Sequence, residues 1–215
     1  MTVSNRDKII LDLCGGTGSW SGPYRDAGYD VRLVTLPEYD VLSYEPPEDV
    51  YGILAAPPCT EFSQLNRGKY KRGERFLDFD KYKSSVNTDV LYACLRIIEK
   101  CNPVFYALEN PCGLVRKYMG KPTLSFQPYQ YGDGWTKKTD LWGNFNVPEP
   151  SHTWESCPKL NIYIRPNRKR PSLAFLHRSA KGQIPQLAGF DVDSDAAFRS
   201  LTPPGFARAF FTANQ

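Results

Sequence analysis

Residues 8–18 have the sequence KIILDLCGGTG, in which an apolar segment leads directly into a turn rich in glycine. The segment from Lys8 to Leu13 predicts a buried strand, and the glycines after it predict a tight turn. Small residues in such a turn let a ligand approach the backbone closely. The stretch is therefore a candidate ligand site, in which Asp12 could orient the loop or bind an ammonium group.

The glycine turn alone does not define a ligand. No Gly-Lys-Ser/Thr sequence follows it, as in a phosphate-binding P-loop, and its glycines do not have the G-x-G-x-x-G spacing. A tight turn that binds nothing is the alternative interpretation of the motif by itself.

Strand and helix signals alternate outward from this stretch. Ser21-Gly22-Pro23 predicts the start of a helix and Gly28 its end, and the apolar residues from Val90 to Ile98 have helical spacing. The predicted strands cover residues 8–13, 31–36, 51–56 and 104–108. This alternation predicts an α/β fold with a mostly parallel sheet and helices on both faces.

Periodicity weakens beyond residue 124, where short strand-like stretches are predicted over 124–131 and 141–145. A final helix is predicted over 195–213, with a break near Pro203-Pro204. We therefore divide the chain into a core over residues 1–145, a small insertion region over 146–194, and a C-terminal helix over 195–215 that returns to the core.

Composition limits the class of protein only broadly. The 215 residues suffice for one domain with a modest insertion, and 27 Lys and Arg against 23 Asp and Glu permit a polyanionic partner without requiring one.

No signal-peptide or membrane-spanning pattern is visible, so we expect a cytoplasmic protein without membrane contact. Six irregularly spaced cysteines predict free thiols, and without a recognisable zinc spacing no metal site is expected.

Three chemical signals follow predicted strand ends: the glycine turn, Cys59 and Glu109. Ligands of open parallel sheets bind beyond the carboxyl ends of the strands, so these signals are expected to meet at one edge.

Cys59 follows Pro57-Pro58, which fix the backbone and present the thiol rigidly, as suits a nucleophile. A buried thiol that caps a strand is the alternative. Glu109 precedes Asn110-Pro111, and partial burial could raise its pKa and let it donate a proton to a ring nitrogen. A simple turn is the alternative there.

Together these motifs resemble, in their order and over nearly the whole chain, the cytosine-C5 DNA methyltransferase family, in a compact phage- or bacterial-type form. The matching segments are Asp12 to Gly18 for the cofactor loop, Pro57-Pro58-Cys59 with Phe62-Ser63 for the nucleophile motif, Glu109-Asn110-Pro111 for the Glu-Asn motif, Lys137-Lys138-Thr139 for a later basic motif in its Lys-x-Thr form, and Arg199 to Thr202 with Ala207-Arg208 for the penultimate motif.

The resemblance implies a Rossmann-like class I methyltransferase fold, S-adenosylmethionine as cofactor, and a cytosine of DNA that is flipped out or single-stranded. It also implies that Cys59 attacks carbon 6, that Glu109 stabilises the base, and that Lys138 and Thr139 belong to the catalytic group. Residues implied in cofactor binding are Asp12, Leu13, Cys14, Gly15, Gly16, Thr17, Gly18, Glu38, Asp40 and Pro57.

The chain departs from the family in three places. Glu38 substitutes for the usual acidic residue at the end of the second strand, and Asp40 follows so closely that the helix between the strands must be lost. The final Gly-Asn motif is expected to be missing or reduced. The interval between Thr139 and Arg199 is short for target recognition, so sequence specificity is expected to be low or to come from a protein partner.

Basic residues are candidates for phosphate contacts, with solvated charged surface as the alternative. The predicted nucleic-acid contacts are Ser63, Arg67, Lys69, Lys71, Arg72, Lys137, Arg165, Arg168 and Arg170.

Three other functions stay open from the sequence. RNA could replace DNA as the substrate, and a non-catalytic nucleic-acid-binding relative could keep the fold. A cysteine hydrolase would instead pair Cys59 with His152 or His177.

Overall fold

The structure is a computed structural model that describes residues 4–62 and 86–215. Its strands form one six-stranded sheet, in the order β2-β1-β3-β4-β6-β5. The strands are β1 (Ile9–Leu13), β2 (Asp30–Val34), β3 (Val50–Ala55), β4 (Phe105–Pro111), β5 (Leu124–Phe126) and β6 (Thr139–Asn144). The first four are parallel, and β6 is antiparallel to both β4 and β5. The predicted α/β class with a mostly parallel sheet is confirmed.

Helices surround this sheet. Among the described residues, the α-helices are α1 (Gly22–Asp26), α2 (Asp89–Cys101), α3 (Arg116–Met119), α4 (Asp195–Ser200) and α5 (Pro204–Ala213). Short 3-10 helices cover Asn5–Asp7, Pro128–Tyr131, Leu173–Phe175, Arg178–Gln183 and Pro185–Leu187. Among the helices described, none combines the length and the apolar character that crossing a membrane would require.

The two faces of the sheet have separate cores because side chains alternate along each strand. On one face, Leu11 and Ile53 pack with Leu91 and Ile97 of α2. Buried residues of α2 recur at helical spacing, which explains why this segment is a helix. The helix ends at Asn102, whose φ of 44° is left-handed and whose N–H caps the Ile98 carbonyl.

The opposite face is covered by α1 and α5. Leu54 and Phe105 of the sheet pack there with Tyr24 of α1 and with Phe206 and Phe210 of α5. The predicted helices on both faces are thus confirmed.

A third apolar cluster lies away from the sheet. It unites Trp135 with residues from the insertion region and with Phe198 of α4. The predicted break at Pro203-Pro204 is confirmed, because α4 and α5 are separate helices. They contribute to different cores, α4 to this cluster and α5 to the sheet.

Several predicted strand boundaries were wrong. The strand predicted to end at Leu108 continues to Pro111, because β6 pairs with its last residues. Glu109 therefore lies within β4, although beyond the part that pairs with β3, which ends at Leu108. The strand predicted over 124–131 ends at Phe126, after which Pro128 begins a 3-10 helix. The second strand ends at Val34, opposite the last residue of β1.

A buried carboxylate fixes the start of α5. Asp133 is buried, and its Oδ2 accepts a hydrogen bond of 2.9 Å from the backbone N–H of Gly205. Gly205 itself lies so close to the chain before Asp133 that a Cβ atom would overlap the carbonyl oxygen of Tyr131. Helix α5 can therefore dock here only with a glycine at position 205.

Gly205→Ala should lower the free energy of unfolding by about 1–3 kcal/mol, because overpacking outweighs the better helix propensity of alanine. Gly189→Ala is the matched control, since its Cβ would enter open space. Urea denaturation of both variants measures the difference, and equal stabilities would contradict the close approach.

Asp133 should also make stability depend on pH. Burial raises its pKa from 3.8 to about 7, so between these values the folded protein binds a proton that the unfolded chain releases. The free energy of unfolding should therefore fall as the pH rises from about 4 to about 7.

In Asp133→Asn the free energy of unfolding should fall less over this pH range. Some of the fall should remain, because Asp12, whose pKa is raised to about 6, contributes a slope of the same sign. Denaturation at both ends of the pH range tests this, with the exposed Asp191→Asn as control. An unchanged slope in Asp133→Asn would show that its carboxyl group is not the cause.

Candidate active site

The order of the strands creates a crevice beside β1. Strand β2 lies on one side of β1 and β3 on the other, so the connections after β1 and after β2 run in opposite directions across the sheet. Ligands of open α/β sheets bind at such a switch point, beyond the carboxyl ends of the strands. The glycine turn follows β1 at this edge, and Pro57-Pro58-Cys59 follows β3.

The glycine turn bends sharply away from the sheet. The backbone N–H of Cys14 still donates to Val34 at 2.8 Å, after which Gly16 and Gly18 adopt left-handed φ angles of 54° and 68°. A Cβ at Gly16 would meet no atom within 4 Å, so open space lies over the backbone of the turn. A Cβ at Gly15 would overlap the Asp12 carboxylate.

Asp12 lies beneath the turn and is fully buried. Its Oδ2 accepts a hydrogen bond of 2.5 Å from the Ser21 hydroxyl group, whereas Oδ1 has no partner among the described residues. Desolvation by burial raises the pKa of Asp12 to about 6. One carboxylate oxygen thus stays available for a hydrogen-bond donor at the turn.

The backbone around Cys59 is held on both sides. Before it, the side-chain amide of the buried Asn110 donates to the Pro57 carbonyl at 2.9 Å. After it, the N–H of Phe62 donates to the Cys59 carbonyl at 3.0 Å and forms a tight turn. Asn110 therefore links the segment after β3 to β4, next to Glu109.

The structure brings Cys59, Glu109 and Lys137 close enough for their charges to act on one another. Burial raises the pKa of the Cys59 thiol, the charge of Glu109 raises it further, and Lys137 opposes both effects. Burial likewise raises the pKa of Glu109, where Lys137 again acts in the opposite direction. In the part of the chain that the structure describes, the site combines a thiol and a carboxyl group that both favour their protonated forms with the cation of Lys137.

The three residues of the Lys-x-Thr motif lie in different surroundings. Lys137 has its Nζ 3.4 Å from the Leu201 carbonyl, whereas Lys138 is exposed and its charge acts on Cys112. Thr139 is buried, and its hydroxyl group donates to the Lys137 carbonyl at 2.9 Å. Lys137, which the sequence assigned to nucleic-acid contacts, is thus the member whose charge reaches Cys59 and Glu109.

Sequence reasoning missed an ion pair next to this group. Asp140 is fully buried and forms two hydrogen bonds of 2.7 Å with Arg116 and one of 2.6 Å with the Ser125 hydroxyl group. Its negative charge raises the pKa of Glu109. Asp140 lies opposite Asn110 in the ladder of β4 and β6, a pairing that no local signal in the sequence indicates.

The predicted acidic cofactor residues lie on the connection between β2 and β3. Residues 35–49, all of them described, form turns without a helix, as the short interval predicts. Glu38 and Asp40 are both exposed, and Asp40 accepts a hydrogen bond of 2.9 Å from the N–H of Leu42. The charge of Asp40 also acts on the Cys14 thiol, which places this carboxylate near the glycine turn.

The predicted nucleic-acid contacts divide into two groups. Ser63, Arg67, Lys69, Lys71 and Arg72 lie outside the described residues. In the insertion region, Arg168 is exposed, whereas Arg165 lies 4.5 Å from the centre of the Phe175 ring. Arg170 lies over Trp154 at 4.7 Å and over Tyr129 at 5.2 Å.

Neither histidine lies beside Cys59 in the way that a hydrolase would need. The ring of His152 is hydrogen-bonded to Ser151 at 2.8 Å, and that of His177 lies 3.4 Å from the Asp195 carboxylate. Within residues 4–62 and 86–215, the charged groups that act on the thiol are Glu109 and Lys137.

The sheet order and the position of the crevice define a Rossmann-like α/β fold. No known protein family matches the sequence, and no curated protein is significantly similar to it. Among solved structures, the chain is similar to a crystal structure described as a candidate DNA modification methyltransferase encoded within an E. coli prophage, with 15% sequence identity and a TM-score of 0.43. The match covers 77% of this chain and 53% of that one, so this chain spans about half its length.

The charges around Cys59 predict the pH at which its thiol begins to react with iodoacetamide. The pH midpoint of its alkylation should lie above the usual thiol value of about 8.5. The midpoint should rise further in Lys137→Met, because this change removes a charge that stabilises the thiolate. It should fall in Glu109→Gln, because this change removes a charge that destabilises the thiolate. Peptide mass spectrometry measures the rate at Cys59 alone.

Lys138→Met is the matched control, since it removes an equal charge from the neighbouring residue and should leave the midpoint unchanged. Equal shifts in Lys137→Met and Lys138→Met would contradict the assignment of Lys137 to the site.

Proposed function

We propose that this chain is an S-adenosylmethionine-dependent methyltransferase that methylates carbon 5 of cytosine in DNA, with Cys59 as the covalent nucleophile. The observation that carries the proposal is that the charges of Glu109 and Lys137 act on Cys59, which follows β3, one of the two strands that flank β1 at the switch point of the sheet. A thiol, a proton donor and a cation are the groups that this chemistry requires.

The glycine turn fits the proposed cofactor. Open space lies over Gly16, and the unpartnered Oδ1 of Asp12 can accept a hydrogen bond there. S-adenosylmethionine carries an ammonium and a sulfonium group, which the nearby carboxylates of Asp12 and Asp40 would favour. When bound, it supplies an electrophilic methyl group. We assign its binding to the turn 12–18, with Glu38, Asp40 and Pro57 at its margins.

In the first step Cys59 adds to the cytosine ring. Its thiolate forms a bond to carbon 6, and the electron pair of the ring double bond moves to carbon 5. Lys137 favours the thiolate by its charge. Glu109, whose raised pKa favours the protonated form, donates a hydrogen bond to ring nitrogen 3 and so stabilises the charge that the addition places on the ring.

In the second step carbon 5 would use this electron pair to form a bond to the methyl group, while the bond between that methyl group and the sulfonium sulfur breaks and its electron pair stays on sulfur, which leaves as a neutral thioether. A base then removes the carbon 5 proton, the double bond forms again, and the Cys59 thiolate leaves carbon 6. Since carbon 6 of a stacked base is hidden, the target must be flipped out of a duplex or be single-stranded. Arg165 and Arg168 are proposed to position the strand through its phosphates, which carry no base information.

DNA is preferred over RNA because of the motif resemblance and not because of a contact in the site. A non-catalytic relative would have no need of a thiol, a carboxyl group and a cation whose charges act on one another. Their arrangement at the switch point therefore favours the enzyme.

An oligonucleotide that contains 5-fluorocytosine tests the mechanism, because fluorine at carbon 5 prevents the final elimination and leaves the Cys59 adduct in place. With S-adenosylmethionine present, we expect an adduct at Cys59 by mass spectrometry and none in Cys59→Ser. Duplex DNA, single-stranded DNA and RNA are compared in parallel.

Cys101→Ser, which changes a partly buried thiol at the end of α2, is the control and should form the adduct. An adduct with RNA alone would replace DNA as the substrate. No adduct with any of the three nucleic acids would refute the proposed chemistry.

A further inference from the structure

A second cleft lies on the flank of the fold, between α1, α5 and the segment 186–190. It has a volume of about 610 Å³, within the range of small-ligand sites, and it begins at Ser19, directly after the glycine turn. The residues that give it chemical character are Arg25, Gln186, Phe190, Arg208, Phe211 and Asp26.

Two arginines line this cleft without a protein partner for their charge. Neither guanidinium group forms a hydrogen bond or an ion pair within the part of the chain that the structure describes. Arg25 extends over the glycine turn, where its Nη1 lies 3.4 Å from the position that a Cβ at Gly18 would take. Arg208 comes from the second turn of α5, on the other side of the cleft.

The carboxyl groups that act on these arginines form no ion pair with them in the described part of the chain. Arg25 acts on Asp12 and Arg208 on Asp133, and both carboxyl groups are buried. Each also accepts its closest hydrogen bond from elsewhere, Asp12 from Ser21 and Asp133 from Gly205. Asp26 is exposed, and the charged residues that line the cleft are thus two arginines and one aspartate.

The remaining walls combine apolar rings with one unsatisfied polar atom. Phe190 and Phe211 are half-buried and line the cleft from two sides. Gln186 also lines it, and its buried Oε1 has no hydrogen-bond partner among the described residues. A buried acceptor without a donor costs free energy that a ligand N–H could recover.

We propose that this cleft binds a nucleotide unit, with the phosphate between Arg25 and Arg208 and the base against Phe190 and Phe211. Paired arginines suit a phosphate because their planar forks donate several hydrogen bonds, and aromatic rings stack on any base. An amino group of the base would supply the donor that Gln186 lacks. The inference goes beyond the proposed function and does not depend on Cys59, which does not line the cleft.

Arginine modification by phenylglyoxal tests the site in the wild-type protein. Cytidine monophosphate and a short single-stranded oligonucleotide are added separately, and peptide mass spectrometry measures the labelling rates. We expect labelling of Arg25 and Arg208 to slow by about tenfold with at least one of them, as for a charge-assisted contact. Protection by the oligonucleotide alone would identify a nucleic-acid strand as the ligand of the cleft. Protection by cytidine monophosphate would identify a free mononucleotide as the ligand.

Arg6 serves as the internal control, because it is exposed and does not line the cleft. Cytidine, which has no phosphate, should not protect either arginine. Unchanged labelling of Arg25 and Arg208 with both phosphate ligands, or equal protection by cytidine, would overturn the proposal.

Variants provide a second measurement. The double change of Arg25→Gln with Arg208→Gln should weaken binding of the protecting ligand by at least about tenfold, whereas Arg6→Gln should not. Thermal denaturation shows whether the double variant is folded, and normal binding by a folded double variant would refute the site. A Cys59→Ser protein should still show protection, so failure of the methyl-transfer chemistry and failure of this cleft can be told apart.

Discussion

The hydrogen bonds on both sides of β1 determine where the candidate site can form. At its end, the N–H of Cys14 donates to Val34 of β2, and the Leu13 carbonyl accepts from Ala56 after β3. Because β1 is held between these strands, the chain must leave the sheet at this point in a sharp turn. The crevice, the glycine turn and the rigid segment before Cys59 all follow from this pairing.

The site also depends on burial more than on close contacts between its members. Removal from water raises the pKa values of Cys59 and Glu109, and Lys137 counteracts this only in part. Asp12 and Asp133 are also buried. Asp12 packs beneath the glycine turn, and Asp133 binds the first turn of α5. The free energy of keeping such groups from solvent is a cost to the fold, which the apolar cores on both faces of the sheet offset.

Local patterns in the sequence predicted the parallel part of the sheet and the meeting of the turn, Cys59 and Glu109 at one edge. They did not predict the end of β4 or the role of Lys137, since both depend on β6. Antiparallel pairing across about thirty residues leaves no periodic signal, and it also brings Asp140 to Arg116. The pattern of residues therefore specified which elements form, whereas long-range pairing specified which side chains meet.

The pairing of β6 with β4 has a consequence for how this chain can vary. A shift by one residue would exchange the two faces of β6 and would remove both Asp140 and Lys137 from Glu109. Insertions within residues 139–144 should therefore separate Glu109 from these two residues and disrupt the site. The chain after Asn144 contributes most of the small core around Trp135 before α5 returns to the face of the sheet. Changes of length in that region can leave the sheet edge intact only where they spare residues 171–173 and 201–202, which are hydrogen-bonded to Thr136, Lys137 and Ser19.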